Sequence, residues 1–361
     1  MQSPLPLFYL AALAPLPLLA AAMVWGGPWG LLAVLSITVL AAGLDAGMPW
    51  SLPSTPAEGA HRAADALSVL VALGCLAVLF GTVAAVAAPG LGLGEKLVLY
   101  LGAGLYLGQI GNANAHELVH RGRRALHALG VAVYTALLFG HHASAHPLVH
   151  HVHVATRRDP NSARLGESYY GFFLRAWAGS FRAGLAAETA RHRRAGRPVW
   201  RHPYGLYLGG AAAALALAWA LGGGLGALVL LGLAGFAQSQ LLLSDYVQHY
   251  GLVRRVGPDG RAEPVSDRHS WNAPHWYSSA MMLNAPRHSD HHAHPARPYP
   301  ALTLPPQAPT LPYSLPVMAC LALVPPLWRR VMDQRLRDLA AAGGCADGTV
   351  ATAPEGPLPA E

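Results

Sequence analysis

Apolar residues along this chain gather in long unbroken blocks, without the short alternating periods of a soluble strand or a surface helix. Four blocks, at about 5–25, 29–47, 66–88 and 93–115, each match the roughly 20-residue helix that crosses about 30 Å of hydrocarbon. Breakers such as Gly26-Gly27-Pro28 and Ala88-Pro89-Gly90 separate them. A fifth stretch, 205–245, is too long for one crossing and is interrupted by Gly222-Gly223-Gly224, which predicts a hairpin with arms at 205–222 and 224–245. The pattern therefore predicts an all-α integral membrane protein of six transmembrane helices, its chain returning to the starting side after every second crossing.

The segment 125–141 is apolar enough to cross, but a crossing there would put the histidine motifs on either side of it on opposite faces of the membrane. Parity thus makes it re-entrant or interfacial. Arg121, Arg123, Arg124, Arg157, Arg158, Arg191, Arg193, Arg194, Arg197 and Arg201 all fall on the side that carries the histidines, and the positive-inside rule makes that side cytoplasmic. Residues 249–315 are polar and rich in His, Pro and Trp; a short apolar stretch at 315–327 need not span. One membrane domain is expected over 1–335, with 336–361 a disordered Ala-, Gly- and Pro-rich tail. The first 25 residues lack the basic start of a cleavable signal and are expected to form the first span.

Composition agrees with the pattern, with 53% hydrophobic and 12% charged residues against the roughly 25% charge of a soluble domain. In that setting the net charge of +7 reflects membrane orientation and gives no reason to expect nucleic acid. Cys75, Cys320 and Cys345 are widely spaced, form no CxxC pair, and offer neither a disulfide framework nor a thiolate metal site.

The placement of the nineteen histidines changes the picture. His116 and His120 stand at i and i+4 after a predicted span, so their rings share one helical face. His146 and His150 repeat that spacing with His151 adjacent, and His288, His291 and His292 stand at i, i+3 and i+4. With His249, at the end of the last span, nine imidazoles are expected at one membrane boundary. That exceeds the need of a single tetrahedral zinc and suits two ions with four or five nitrogen ligands each. No thiolate or dense carboxylate set accompanies the histidines, and an imidazole-rich, redox-active site beside a membrane suggests iron, which spacing alone leaves an inference. Glu117, Asp290, His153 and His269 are candidates to orient the ligand rings. His141, His142, His275 and His294 also lie near the site, while His61, His127, His192 and His202 are expected to be solvated or interfacial.

These motifs resemble the integral-membrane alkane 1-monooxygenases, relatives of the membrane fatty acid desaturases. His116-Glu117-Leu118-Val119-His120 resembles their HELxH box, His146 to His151 their HxxxHH box, and Arg287 to Pro295 their RHSDHHAHP box. Asp159 to Ser168, His249-Tyr250-Gly251, His269-Ser270-Trp271-Asn272 and Arg330-Val331-Met332-Asp333 are similar to further family segments, and the likeness covers about 30–335. Departures occur at Ala145 and Gln248, where the family usually has Glu, and at Ala285-Pro286, where Leu-Gln is common. None removes a ligand position.

The resemblance implies a non-haem di-iron centre held by those nine histidines and O2 as co-substrate. It also implies electrons from rubredoxin and rubredoxin reductase, and terminal hydroxylation of medium-chain n-alkanes to 1-alkanols at the inner membrane. The absence of CxxC pairs argues against a fused rubredoxin. A desaturase, or a hydroxylase of a fatty acyl or alkylaromatic chain, is the alternative on the same site. An intramembrane zinc protease using His116-Glu117 would leave most clustered histidines without a role, and a metal transporter would need ionisable residues within the spans.

Overall fold

The computed structural model describes residues 4–48, 51–55 and 57–341, and for 57–61 the backbone alone. Those residues form helices and loops; their only β-pairing is two isolated bridges, Val256 with Ala262 and Asn272 with Thr310. Four helical stretches are long and apolar enough to cross a membrane: α1 (Leu5–Trp25), α2 (Trp29–Gly47), the Arg62–Ala87 part of α3 (Ala57–Ala87), and α8 (Pro203–His249). This is a membrane protein.

The last of the four is two arms. Gly222 and Gly223 leave helical geometry, Gly223 at φ +58°, a left-handed conformation that costs glycine little. Beyond this turn Gly226 lies against the Ala218 carbonyl, so the arms fold back on each other.

The predicted span at 93–115 forms a helix, α4 (93–119), but is not among the four strongly apolar stretches. It carries Gln109, Asn112 and Asn114 in its second half. The two asparagines reach neighbouring helices, the Asn112 amide donating to the Ala237 carbonyl as well as to that of Gly108 within α4, and the Asn114 amide to that of Ser68. Gly104 meets Phe236, Gly108 meets Gln240 and Gly111 meets Cys75, the small-residue contacts that let membrane helices approach.

After α4 the chain reverses into α5 (Arg124–Ala136), of 13 residues. At about 20 Å this helix is too short to cross hydrocarbon. It lies back against α4, with Gly130 on the Ala115 carbonyl and Leu118. A turn with Leu138 at φ +57° then leads into α6 (142–153), the element bearing the second histidine motif.

Three π-turns interrupt these helices: Ser36–Leu40 in α2, Tyr106–Gly111 in α4 and His146–His150 in α6. Such turns concentrate at functional sites. The third has a direct consequence. In a regular α-helix position i+5 lies about 140° from position i, so His151 would face away from His146. The wider π-turn brings His146, His150 and His151 to one side.

Helix α7 (Tyr169–Arg194) leads into α8. The polar region after α8 holds α9 (Trp276–Met281) and α10 (His288–Ala293), followed by α11 (Leu315–Ala322) and α12 (Pro325–Leu339). The expected start of a disordered tail at 336 is corrected here. Helix α12 continues to Leu339 because Trp328, Met332 and Leu336, at i, i+4 and i+8, are buried on one face, Leu336 against Gly251. Residues 342–361, including Cys345, lie outside the described residues.

Candidate metal centre

Nine histidines converge in two groups. His116, His120, His146, His151 and His291 form one; His150, His249, His288 and His292 form the other. Within each, the possible ligand nitrogens lie within 4.8 Å of one another. In the first group Nε2 of His146 is 2.6 Å from that of His116 and 2.9 Å from that of His151, and His151 is 3.1 Å from His291. In the second, Nε2 of His288 is 3.0 Å from both His249 and His292. Metal–nitrogen bonds of about 2.1 Å place neighbouring ligand atoms at about 3 Å, which matches these separations. Nε2 of His120 and of His150 are buried without a hydrogen-bond partner. Buried polar atoms seldom stay unpaired, and these two are suited to ligating a cation. The donor set therefore fits two metal ions.

The groups interleave along the sequence. His146 and His151 join one group while His150 between them joins the other, and α10 divides likewise, His291 from His288 and His292. The rings of His151 and His292, on opposite sides of the division, have centroids 4.5 Å apart.

Electrostatics favours neutral, ligand-ready imidazoles. Burial, followed by the mutual repulsion of neighbouring imidazoles, pushes the pKa values of His146, His151, His288, His291 and His292 well below the usual histidine value. Burial, with His127 and His150 nearby, lowers His120 to about 4. His150 differs: burial pushes it down, but the Asp159 carboxylate, 2.8 Å from Nδ1, outweighs this and its pKa rises.

A prediction follows for metal-free protein. Groups whose folded pKa is depressed below the unfolded value of about 6.5 bind fewer protons folded than unfolded. Their contribution is complete above that pH and is lost as pH falls through the folded values; among the nine histidines His150 acts in the opposite sense, as does the buried Glu117 carboxyl, which burial pushes up. The thermal midpoint of chelator-treated protein in detergent should fall between pH 7 and 5, each extra proton bound on unfolding adding about 1.4 kcal/mol per pH unit. A flat midpoint over that range would contradict this balance.

The four residues expected to orient ligand rings sit as follows. The Glu117 carboxylate accepts from the Tyr299 backbone N–H at 3.2 Å and pairs with Arg121 at 3.2 Å. Asp290 accepts from His294, Arg297 and Thr303, and so pins the strap after α10. His153 is half-exposed. His269 directs its ring to Ser266 and Glu263, while its backbone carbonyl lies 3.4 Å from Nδ1 of His249.

The partner that sequence reading did not single out is Asp159. Beyond His150 it accepts from Ser162 Oγ at 2.6 Å and the Asn161 N–H at 3.0 Å, and the Asn161 amide continues to Asp245 at 2.7 Å. The available signal was its acidic side chain nine residues after His150, the first after that motif, in the segment Asp159 to Ser168. His142 is also closer than expected, its ring stacked on His146 with centroids 5.0 Å apart. His192, expected to be solvated or interfacial, is buried, with Nε2 bonded to the Pro198 carbonyl at 2.7 Å. His127 and His202 are half-buried, and the His61 side chain lies outside the described residues.

A cavity of about 590 Å³ reaches the centre from the membrane region. Its inner end is lined by His116 of one group and His288 of the other, and Ile37, Leu105, Phe236, Leu241 and Val317 supply apolar wall. Val39, Cys320 and Leu323 line it too, and all three are exposed at the surface of the helical bundle.

A fatty acid desaturase family model matches residues 96–304, the stretch that contains all nine histidines. Alkane 1-monooxygenase 1 of Pseudomonas aeruginosa is 37% identical over 277 residues, covering 74% of this chain and 72% of the relative. The chain belongs to the alkane 1-monooxygenase family. The Acinetobacter baylyi alkane 1-monooxygenase is 34% identical, covering 67% of this chain and 60% of its own. A more distant relative is the xylene/toluene monooxygenase hydroxylase component XylM of Pseudomonas putida, 29% identical over 62% of this chain and 60% of its own. Membership makes this protein an enzyme, an oxidoreductase, and its two histidine clusters are able to bind metal. Two of its departures from the family pattern meet in space: the Gln248 amide bridges Ser244 and the Ala285 carbonyl, at 2.9 and 3.3 Å, on the cavity wall. Ala145 is buried against Gly184, whose added methyl would come within 2.8 Å of it.

Proposed function

We propose that the protein hydroxylates the terminal C–H bond of medium-chain n-alkanes to 1-alkanols, using two iron ions held by the nine histidines. The first ion takes His116, His120, His146, His151 and His291, the second His150, His249, His288 and His292. The observation that carries this reading is the apolar cavity ending on one histidine of each group, so that a chain end inside it meets both sites. In this reading the chain crosses six times, with α4 and the two arms of α8 among the crossings, and the centre lies at the cytoplasmic face of the inner membrane within a single domain that includes α12.

Bound iron supplies dioxygen activation and C–H oxidation. One oxygen atom enters the C–H bond and the other leaves as water, which consumes two electrons and two protons. The chain's own residues do the remaining work. Ile37, Leu105, Phe236 and Leu241 hold an extended apolar chain and exclude water. Asp159 fixes the His150 ring through Nδ1 and leaves Nε2 free for metal. Glu117, through Arg121 and the Tyr299 N–H, ties the end of α4 to the strap after α10.

Electrons arrive from rubredoxin, itself reduced by rubredoxin reductase. Val152 is exposed next to His151, and the exposed Arg157 and Arg158 follow closely, a basic rim that suits an acidic electron carrier. Substrate dissolved in the bilayer enters sideways past Val39, Cys320 and Leu323.

Purified protein loaded with iron and supplied with rubredoxin, its reductase and alkanes of graded length should contain two irons per chain and release 1-alkanols. One bound zinc and no oxygenated product would overturn the reading, and alkene would identify a desaturase. The likeness to the XylM component favours methyl groups of alkylaromatics as the second substrate class, separated by the same product analysis.

The mouth gives a further prediction. Cys320→Trp should shorten the accepted chain, and excluding two methylenes at about 0.8 kcal/mol each should lower kcat/KM for dodecane about 15-fold. Hexane should be nearly unaffected, and Cys320→Ser should behave as wild type. Equal losses for both alkanes would place the entrance elsewhere.

A further inference from the structure

Helix α7 presents two faces. Tyr169, Phe172, Ala176, Ser180, Gly184 and Glu188 are buried, whereas Tyr170, Leu174, Trp177 and Leu185 are exposed. The level of this helix in the membrane follows from its hydrogen bonds to both arms of α8. Trp177 Nε1 donates to Gln238 Oε1 at 2.8 Å, and the Tyr204 hydroxyl donates to the Phe181 carbonyl at 3.0 Å. Gln238 and Tyr204 stand 15 and 19 residues from the turn at Gly223, which is about 22 and 28 Å of helix against about 30 Å of hydrocarbon. Helix α7 therefore lies along the boundary between hydrocarbon and headgroups, its outward apolar row against lipid.

Its C-terminal end is basic and aromatic together. Arg191, Arg193, Arg194, Arg197 and Arg201 are exposed; Arg191 pairs with Glu188 at 3.6 Å, and the segment 189–202 beyond it contains no acidic residue. Val199 and Trp200, each 83% exposed, are the most exposed large apolar side chains among the described residues. The loop holding them is fixed. His192 Nε2 is bonded to the Pro198 carbonyl at 2.7 Å, His202 lies 3.1 Å from the Thr189 hydroxyl, and Gly196 makes the turn at φ +59°. Trp200 is thus held three residues before the span that starts at Pro203, at headgroup depth.

We propose that the 191–201 loop, with the outward row of α7, is a binding site for anionic phospholipid headgroups. The arginines would pair with phosphate while Val199 and Trp200 enter the acyl boundary. A bilayer is favoured over an acidic protein because the charges surround side chains suited to lipid. From Arg193 on they also stand about 21 Å of helix or more past Gly179, the point of α7 that lies against Pro160, two residues after Arg158 beside the metal centre.

The test uses full-length protein in dodecyl maltoside, titrated with dioleoyl-phosphatidylglycerol or dioleoyl-phosphatidylcholine, with retained lipids counted by native mass spectrometry. Wild type should retain the anionic lipid at least about fivefold more strongly, the effect expected of a single arginine near an anionic surface. R193Q/R194Q/R197Q/R201Q should retain the two lipids equally, with unchanged metal content and thermal midpoint. V199S/W200S should weaken retention of both lipids, which keeps the proposal testable if the quadruple variant does not fold. Equal retention by wild type, or a preference surviving in the quadruple variant, would overturn the proposal. Unchanged lipid preference together with slower reduction by an acidic soluble donor would reassign the patch to a protein partner. Metal content read in the same samples separates failure of this site from failure of the proposed di-iron reading.

Discussion

Replacing His292 by alanine is expected to reduce the bound iron from two ions per chain to about one and to lower 1-alkanol formation more than 100-fold. The reason is the unequal size of the two groups. His292 belongs to the group of four, where Nε2 of His288 lies 3.0 Å from both His249 and His292. Its loss leaves three nitrogens in a buried pocket. Removing only a partner of a metal ligand costs about 10–100-fold in affinity or activity, so removing the ligand itself should exceed that range. His120→Ala is the internal comparison. It belongs to the group of five, so four imidazoles remain, and its iron content should stay near two with a smaller loss of rate. Iron determination and product quantification on both variants decide the matter. Full iron and activity in His292→Ala would show that this histidine holds no metal.

The second large effect is expected at Asp159, which touches no substrate. Its buried carboxylate accepts from His150 Nδ1, Ser162 Oγ and the Asn161 N–H. Asp159→Ala frees the His150 ring to turn and should lower iron affinity and kcat about 10–100-fold. It also strands two buried donors, at about 1–3 kcal/mol for each group left unpaired, so the thermal midpoint should fall. Asp159→Asn separates these consequences. Its amide oxygen still accepts from the backbone and holds the loop, but the charge that raised the His150 pKa is gone. This variant should keep most of the stability while losing iron affinity, and excess iron should restore part of its activity. An Asp159→Asn variant with wild-type iron affinity and rate would limit Asp159 to a structural role.

Several features were legible because they depend on local spacing. Positions i and i+4 share a face of any helix, so His116 with His120, and His288 with His292, were readable as pairs. The apolar blocks were readable because hydrocarbon demands about twenty consecutive apolar residues. The π-turn at His146–His150 was not readable, since the same six residues fit a regular helix and only packing selects the wider turn. Nor was the continuation of α12 to Leu339, because Leu336 is buried by Gly251, some 85 residues earlier in the sequence. The burial of His192, expected to be solvated or interfacial, was not readable either, because it depends on the closed loop around Pro198.

What the sequence determined by itself was membrane insertion, an all-helical fold and the identity of nine histidines able to meet at one boundary. These follow from composition and from fixed helical periodicity. Tertiary structure decided how the nine divide, five and four, with His150 and His151 parted although adjacent. It also paired Asp159 with His150 and opened an apolar cavity onto His116 and His288. Those outcomes depend on side-chain directions from α4, α6, α8 and α10 at once, and no local pattern within one helix fixes where another helix points its rings.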